Sequence, residues 1–306
     1  MSDSNTFQAS FFHPRYWLLW LGFIVWWLLA MLPYPILLLL GKSLGLLLYA
    51  VGSRRKEIAA RNIELCFPDL DAQQRQTMLR QNFQNLGMAF FETGMAWWWP
   101  NWRFRRLVKV EGLEHLEALQ GQGALLTAIH LTTLEIGASA VCMNFTIDGM
   151  HRPHKNAFYD YVQKRGRQQR SDSATSYPRK EVRQVLKALR KGRVIWYAPD
   201  QDYGIKQGVF APFMGIQAAT VTATSRFAGA GNAKIVPLTQ QRLPGWQGYQ
   251  VTIHPPLEGF PSGDDLEDAI TINNLIESII KEQPDSYMWV HRRFKTRPEG
   301  ESSLYS

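Results

Sequence analysis

A histidine and a carboxylate five residues apart, in His130-Leu-Thr-Thr-Leu-Glu135, are the side chains of this sequence best suited to moving a proton near neutral pH. An imidazole held by a carboxylate is a general-base pair that can take the proton of a hydroxyl. On one continuous helix a spacing of five puts two residues on different faces. The pair therefore works only if His130 stands before a helix and Glu135 inside it. The flanking residues predict this arrangement. Ala124-Leu-Leu-Thr-Ala-Ile129 reads as a buried strand, Ile136–Met143 can continue as a helix, and Thr132 or Thr133 can serve as the N-cap between them. In this reading Glu135 fixes the tautomer of His130 and stabilises its imidazolium form. A His and a Glu at this spacing also occur often by chance, so the weight of the reading comes from the rest of the chain.

From about residue 108 onward strands and helices alternate. Apolar runs at 124–129, 194–198, 234–238 and 249–254 read as strands, and 181–191, 220–230 and 264–282 as helices. The pattern predicts an α/β fold, a mixed sheet flanked by helices. Residues 54–100 read as largely helical, with Leu79, Phe83, Leu86 and Phe90 at helical spacing.

Ahead of these lies a different kind of segment. No charged residue occurs between Arg15 and Lys42; Trp17–Leu32 is apolar throughout, and Ile36–Leu40 is apolar again after Pro33 and Pro35. A spanning helix needs about 20 apolar residues, which a stretch of about 17–40 supplies if the prolines kink the helix rather than end it. A helical hairpin lying in the bilayer surface uses the same residues. Arg54, Arg55 and Lys56 follow the apolar region and only Arg15 precedes it, which places the following chain in the cytoplasm. The expected division is a membrane anchor over 1–53 and a cytoplasm-facing domain over 54–306.

The net charge of +8 and isoelectric point near 9.5 suit anionic partners. Eleven tryptophans, most of them in the N-terminal third, favour a membrane interface over nucleic acid, and no zinc-finger or RNA-binding spacing is present. Trp97-Trp-Trp99 reads as core or, with the arginines of 101–106, as part of such an interface, and the interface is the favoured reading. Cys66 and Cys142 have no paired spacing, which implies neither a disulfide framework nor a metal cage. Gly41-Lys-Ser-Leu-Gly45 matches the G-x-S-x-G nucleophile elbow, but no strand precedes it.

Three further groups are candidates for binding. Arg165, Arg167 and Arg170 read either as a loop that wraps phosphate or as a solvated basic face. Asp200 and Asp202 follow the strand at 194–198, at the edge where sites of open α/β sheets lie; no further ligands join them, so no metal is expected. His291, Arg292 and Arg293 open a cationic run to Arg297, and the preceding Tyr287-Met-Trp289 argues that this run packs against the domain.

Together with Arg152-Pro153, Arg165-Gly-Arg167, Ala198-Pro-Asp200-Gln-Asp202-Tyr-Gly204 and the run from Tyr287 to Pro298, the H-x-x-x-x-E of His130 and Glu135 resembles the late acyltransferases of lipid A biosynthesis, in their lauroyl and palmitoleoyl transferase branch. His13–Trp17, Leu32–Pro35 and Asn62–Pro68 resemble that branch too, so the likeness covers nearly the whole chain. It implies an inner-membrane enzyme of Gram-negative bacteria that needs no cofactor. The acyl donor would be acyl carrier protein, and the acceptor a hydroxyl on a Kdo-bearing lipid A precursor. It implies His130 and Glu135 as the catalytic pair, Arg167 and Asp200 as further residues needed for activity, and Arg152, Arg165, Arg170, Asp202, His291, Arg292 and Arg293 as candidate contacts to substrate. A membrane-anchored hydrolase and a non-catalytic scaffold for anionic lipid are the competing readings.

Overall fold

The structure is a computed structural model that describes residues 7–52, 54–171 and 173–305. Two apolar helices come first, α1 (Trp17–Ala30) and α2 (Tyr34–Val51). The apolar stretch is thus divided rather than kinked. The first helix ends before Met31, and the second starts with Pro33 as its N-cap and Pro35 in its first turn, a position that proline tolerates because no backbone donor is needed there. The expected boundary at 53 falls on Ser53, outside the described residues.

Two polar-faced helices follow, α3 (Arg54–Cys66) and α4 (Ala72–Trp98). A capping box of Asp71 and Gln74 starts α4. The long α4 is the spine of the molecule. On one side it meets α2 backbone to backbone: a Cβ on Gly45 would lie 2.2 Å from the Phe83 carbonyl oxygen, and one on Gly41 would lie 2.6 Å from the Met88 Cα. The apparent nucleophile elbow at Gly41–Gly45 is therefore a helix-packing surface. On its other side α4 carries buried Glu92, which accepts from Arg242 Nε at 2.7 Å, Arg242 Nη2 at 2.9 Å and Tyr249 Oη at 2.6 Å.

The chain then passes through α5 (Asn101–Phe104), β1 (Val108–Glu111), α6 (Leu113–Glu117), β2 (Gly123–Thr127), α7 (Leu134–Cys142), β3 (Ile147–His151), α8 (Ala157–Gln168), β4 (Ser176–Pro178), α9 (Val182–Leu189) and β5 (Val194–Tyr197). It continues with β6 (Gly208–Phe213), β7 (Ile216–Val221), α10 (Ala223–Gly231), β8 (Ala233–Arg242), β9 (Tyr249–Ile253) and α11 (Asp265–Glu282). Seven strands form one mixed sheet in the order β1-β9-β8-β2-β5-β3-β4, in which only β8 and β9 pair antiparallel. This is the expected α/β architecture. The buried β2 lies at its centre, and apolar clusters fill both faces. The antiparallel hairpin β6–β7 was not expected: Thr220 and Val221, read as the start of a helix, end a strand whose partner is β6. Asn273 of α11 secures the hairpin through Pro212 and Thr220.

The tryptophan triplet takes the core alternative rather than the interface one. Trp97 and Trp99 are buried at 2% and 1% exposure, and in the 97–104 segment Trp102 is the tryptophan that faces outward. The helix end packs against α1, α7 and α8, which cover most of these rings.

The glycine contacts between α2 and α4 give a direct test. Gly45→Ala should destabilise the protein by about 1–3 kcal/mol through overpacking, read as a lower thermal midpoint in detergent. Gly22→Ala, where an added methyl meets nothing within 4 Å, should not. Equal midpoints for the two variants would contradict the close packing of α2 on α4.

Candidate active site

The sheet brings its parallel strands to a common carboxyl edge. Thr127 of β2 pairs with Tyr197 of β5. His130 and Asp200 each stand three residues beyond that pair, so neighbouring strands deliver them side by side. Asp200 is 1% exposed, and both its oxygens are engaged: Oδ1 lies 2.7 Å from His130 Nδ1, and Oδ2 accepts from the His130 backbone N–H at 3.1 Å. Burial opposes a charged ring at His130, but the Asp200 carboxylate outweighs it and raises the pKa above a histidine's ordinary value. Burial likewise opposes the ionised form of Asp200, and His130 with its backbone amide holds the pKa low. The ring keeps 22% side-chain exposure, which leaves Nε2 as the atom for a substrate proton.

The structure corrects the role expected of Glu135. His130 does precede the helix and Glu135 does lie in the first turn of α7, but the carboxylate that holds the imidazole is Asp200. Glu135 accepts from Arg167 Nε at 3.0 Å and from Trp97 Nε1 at 2.9 Å. Burial pushes its pKa up, and Arg167 and Trp97 more than compensate, so it stays ionised. Thr133 occupies the N-cap position without a side-chain cap bond; its hydroxyl turns to the Gln240 carbonyl.

Arg165 and Arg167 do not stand on a loop. They belong to the last turn of α8, where Gly166 lets Trp97 approach: a Cβ at 166 would lie 2.4 Å from Trp97 Cγ. Arg165 is exposed and Arg167 keeps 41% side-chain exposure. Arg170 turns inward, donating to Asn101 Oδ1 at 2.6 Å and to the Trp99 and Ala96 carbonyls.

The run after Tyr287 is a strap that braces the site. Leu131 bridges Tyr287, Met288 N donates to the His130 carbonyl at 2.9 Å, and Tyr287 Oη donates to the Asp200 carbonyl at 3.2 Å. Arg293, expected to contact substrate, is 1% exposed and donates to the Ala219 carbonyl and Thr220. Asp202, also expected to contact substrate, is 2% exposed and accepts from Thr296 N and Oγ1. His291 Nε2 accepts from the Asp202 N–H, and burial pushes its pKa down to about 4. Arg292 lies half-buried over the Tyr305 ring. Arg152 remains exposed, beyond the end of β3 at the same sheet edge. Among the described residues no three His, Cys, Asp or Glu side chains converge as metal ligands.

Beside Glu135 and Arg167 opens an apolar groove of about 540 Å³, lined by α1 (Trp20, Phe23, Ile24, Trp27), α4 (Trp97, Trp98) and α8 (Phe158, Val162, Gly166). Trp97 both lines this groove and donates to Glu135. A largely apolar groove and a polar site that can take a proton from a hydroxyl thus share one side chain.

The family of bacterial lipid A biosynthesis acyltransferases matches residues 4–296. The chain belongs to that family. It is 44% identical to the lipid A biosynthesis lauroyltransferase of Escherichia coli, with both chains covered in full, and 42% identical to the palmitoleoyltransferase of the same organism over 98% of each. A lipid A biosynthesis acyltransferase of Haemophilus influenzae is 40% identical over 98% of this chain and 97% of its own. This is an acyltransferase.

Titration of the acyltransferase's histidines by NMR checks the pairing without an activity assay. The His130 ring should titrate above the ordinary histidine range, and below it in Asp200→Asn, because burial persists when the opposing carboxylate is gone. Glu135→Gln should move it less. A His130 pKa unmoved by Asp200→Asn would contradict the assignment of its partner.

Proposed function

We propose that this acyltransferase moves a fatty acyl group from the thioester of acyl carrier protein to a hydroxyl on a 3-hydroxyacyl chain of Kdo2-lipid IVA. The reaction takes place at the cytoplasmic face of the inner membrane, with residues 1–53 as the membrane attachment. The observation that carries this reading is the His130–Asp200 pair near the Glu135–Arg167 pair, whose hydrogen-bond partner Trp97 also lines an apolar groove.

His130 Nε2 takes the proton of the acceptor hydroxyl as that oxygen attacks the thioester carbonyl. Asp200 holds Nδ1–H in place and stabilises the imidazolium, as the third member of a hydrolase triad does. The tetrahedral intermediate collapses with cleavage of the carbon–sulfur bond. The leaving thiolate takes the proton back from Nε2, so an ester and a free thiol are the products. Arg167 directs Nε and Nη2 to Glu135, and its Nη1 is left to meet developing negative charge or an acceptor phosphate. Arg152 and Arg165 extend this positive edge toward the anionic acceptor and the acidic carrier protein.

The groove takes the apolar chain of the donor out of water. A lauroyl donor is preferred over a palmitoleoyl one in this reading, following the higher identity to the relative named for lauroyl transfer. A pocket of this kind discriminates by only about 1–3 kcal/mol per methylene, so the preference should be graded.

Purified enzyme given a mixture of carrier thioesters and the acceptor should form ester, identified by mass spectrometry, with lauroyl ester in excess. Free fatty acid as the sole product would overturn transfer in favour of hydrolysis. His130→Ala should lower the rate by about 10²–10⁴-fold. The base must be neutral, so the rate should rise with pH through a midpoint above the ordinary histidine value. In Asp200→Asn that midpoint should fall to lower pH along with the maximal rate. Arg167→Lys should stay impaired, because an ammonium cannot reproduce the fork that Glu135 accepts; wild-type rate and acceptor KM in this variant would remove Arg167 from the mechanism.

A further inference from the structure

We propose that α1 and α2 lie along the membrane surface with their outer faces embedded in a single leaflet, and that neither helix crosses the bilayer. The inference rests on the reading of the acceptor as a membrane lipid and adds how the enzyme meets it. By length and composition α2 alone qualifies as a spanning helix among the described residues, so the question turns on its surroundings.

Both ends of α2 are tied to the same folded domain. At its start, Arg103 of α5 donates to the Met31 and Leu32 carbonyls at 2.9 and 2.6 Å, and Trp99 Nε1 donates to the Ala30 carbonyl. At its end, Lys56 donates to the Tyr49 carbonyl at 3.0 Å, and Arg55 reaches the Val290 carbonyl at 2.9 Å. Between the ends, Gly41 and Gly45 press on the α4 backbone. At that level the far side of α4 is hydrogen-bonded into the α/β domain, Asn82 to the Asp285 and Tyr287 carbonyls and Asn85 to Arg242. A bilayer-crossing α2 would carry these polar groups and the strap from Tyr287 to the depth of the hydrocarbon, where irregular backbone is tolerated only when covered by protein or lining a water-filled cavity. A helix that crosses also places its ends on opposite sides of the membrane, whereas these ends hold one domain.

Lys42 supplies an independent argument. It is exposed near the middle of α2, the position where a charge is most unfavourable in a spanning helix. At 3.6 residues per turn it lies roughly 120–140° around the helix from Ile36 and Leu47. An in-plane helix can therefore send it to the headgroups while the apolar face stays in lipid.

That face is extensive. Leu18, Leu21, Ile24, Val25 and Leu28 of α1 and Ile36, Leu39, Leu40, Leu47 and Leu48 of α2 are all exposed, more than a soluble surface tolerates. Exposed Arg105 and Arg106 near one end and Arg54 and Arg55 near the other suit anionic headgroups. Ile24 and Trp27 belong both to this face and to the lining of the acyl groove, so the groove opens where lipid lies.

The test is a depth profile. Ile36→Cys, Leu40→Cys, Leu47→Cys and Val51→Cys, in a Cys142→Ala background that leaves only buried Cys66, are labelled with a fluorophore. The labelled proteins are reconstituted into phosphatidylglycerol-containing vesicles whose lipids carry a nitroxide near the headgroup or at the chain end. All four labels should be quenched several-fold more by the shallow nitroxide. Stronger quenching of Leu40 by the deep nitroxide, with Ile36 and Val51 shallow, would mean a crossing helix and overturn the proposal. Absence of quenching by either would mean that protein covers the face, and would overturn it too. The unlabelled variants are assayed for acyl transfer in the same vesicles. Shallow quenching without ester product would count against the proposed reaction and leave the topology standing.

Discussion

A carboxylate sealed from water must find its compensation within the protein, and at Asp200 that requirement organises the sheet edge that carries His130. Removing one partner from such a buried pair typically costs about 3–5 kcal/mol. Asp200 therefore fixes the geometry of whatever neutralises it. It takes the His130 ring through Nδ1 and the His130 backbone through its amide, so both the position and the orientation of the imidazole follow from one side chain. The parallel pairing of β2 with β5 makes this possible, because strands in register can deliver residues at equal offsets to one edge. The strap from Tyr287 then closes over the pair, holding the carbonyls of both residues by hydrogen bonds.

Two carboxylates serve this site, Asp200 buried and Glu135 mostly so, and their environments separate their roles. Asp200 faces a group that can gain or lose a proton, so the pair can serve acid–base chemistry. Glu135 faces a guanidinium that does not titrate in the working range and an indole N–H, so it serves as a fixed charge that orients Arg167. The same Trp97 that donates to Glu135 forms one wall of the apolar groove. The polar half of the site and the slot beside it thus share a side chain, and Gly166 is the small residue that lets the indole sit there.

The sequence carried the architecture well. Alternation of apolar runs predicted the mixed sheet, and the strand before His130 and the helix containing Glu135 stand where periodicity placed them. It carried the partnerships poorly, because periodicity reports on local structure and the His130–Asp200 contact joins residues far apart in the chain. One signal was present: His130 and Asp200 follow two apolar strands at similar offsets, which becomes a contact once those strands are neighbours. The arginines were legible as charge and not as location. Composition cannot distinguish exposed Arg165 from Arg293, which the hairpin β6–β7 buries through the Ala219 carbonyl. The Gly41–Gly45 spacing was visible as well, and its meaning needed the presence of α4 beside it.

The route from membrane to chemistry runs through α4. Its one face receives the glycines of α2, while its other face sets Glu92 against Arg242 and Tyr249, residues of β8 and β9. β8 lies next to β2 in the sheet, and His130 follows three residues beyond the end of β2. A helix pair held to the spine by backbone contact, and a spine held to the sheet by a buried ion pair, leave little freedom between the exposed apolar face of α1 and α2 and the sheet edge that carries His130. Rigidity of this kind would serve the proposed reaction, in which the acceptor stays in its own leaflet. On the proposed topology and reaction, the height of His130 above the lipid is set by the fold, and the acceptor hydroxyl needs to rise only as far as that height.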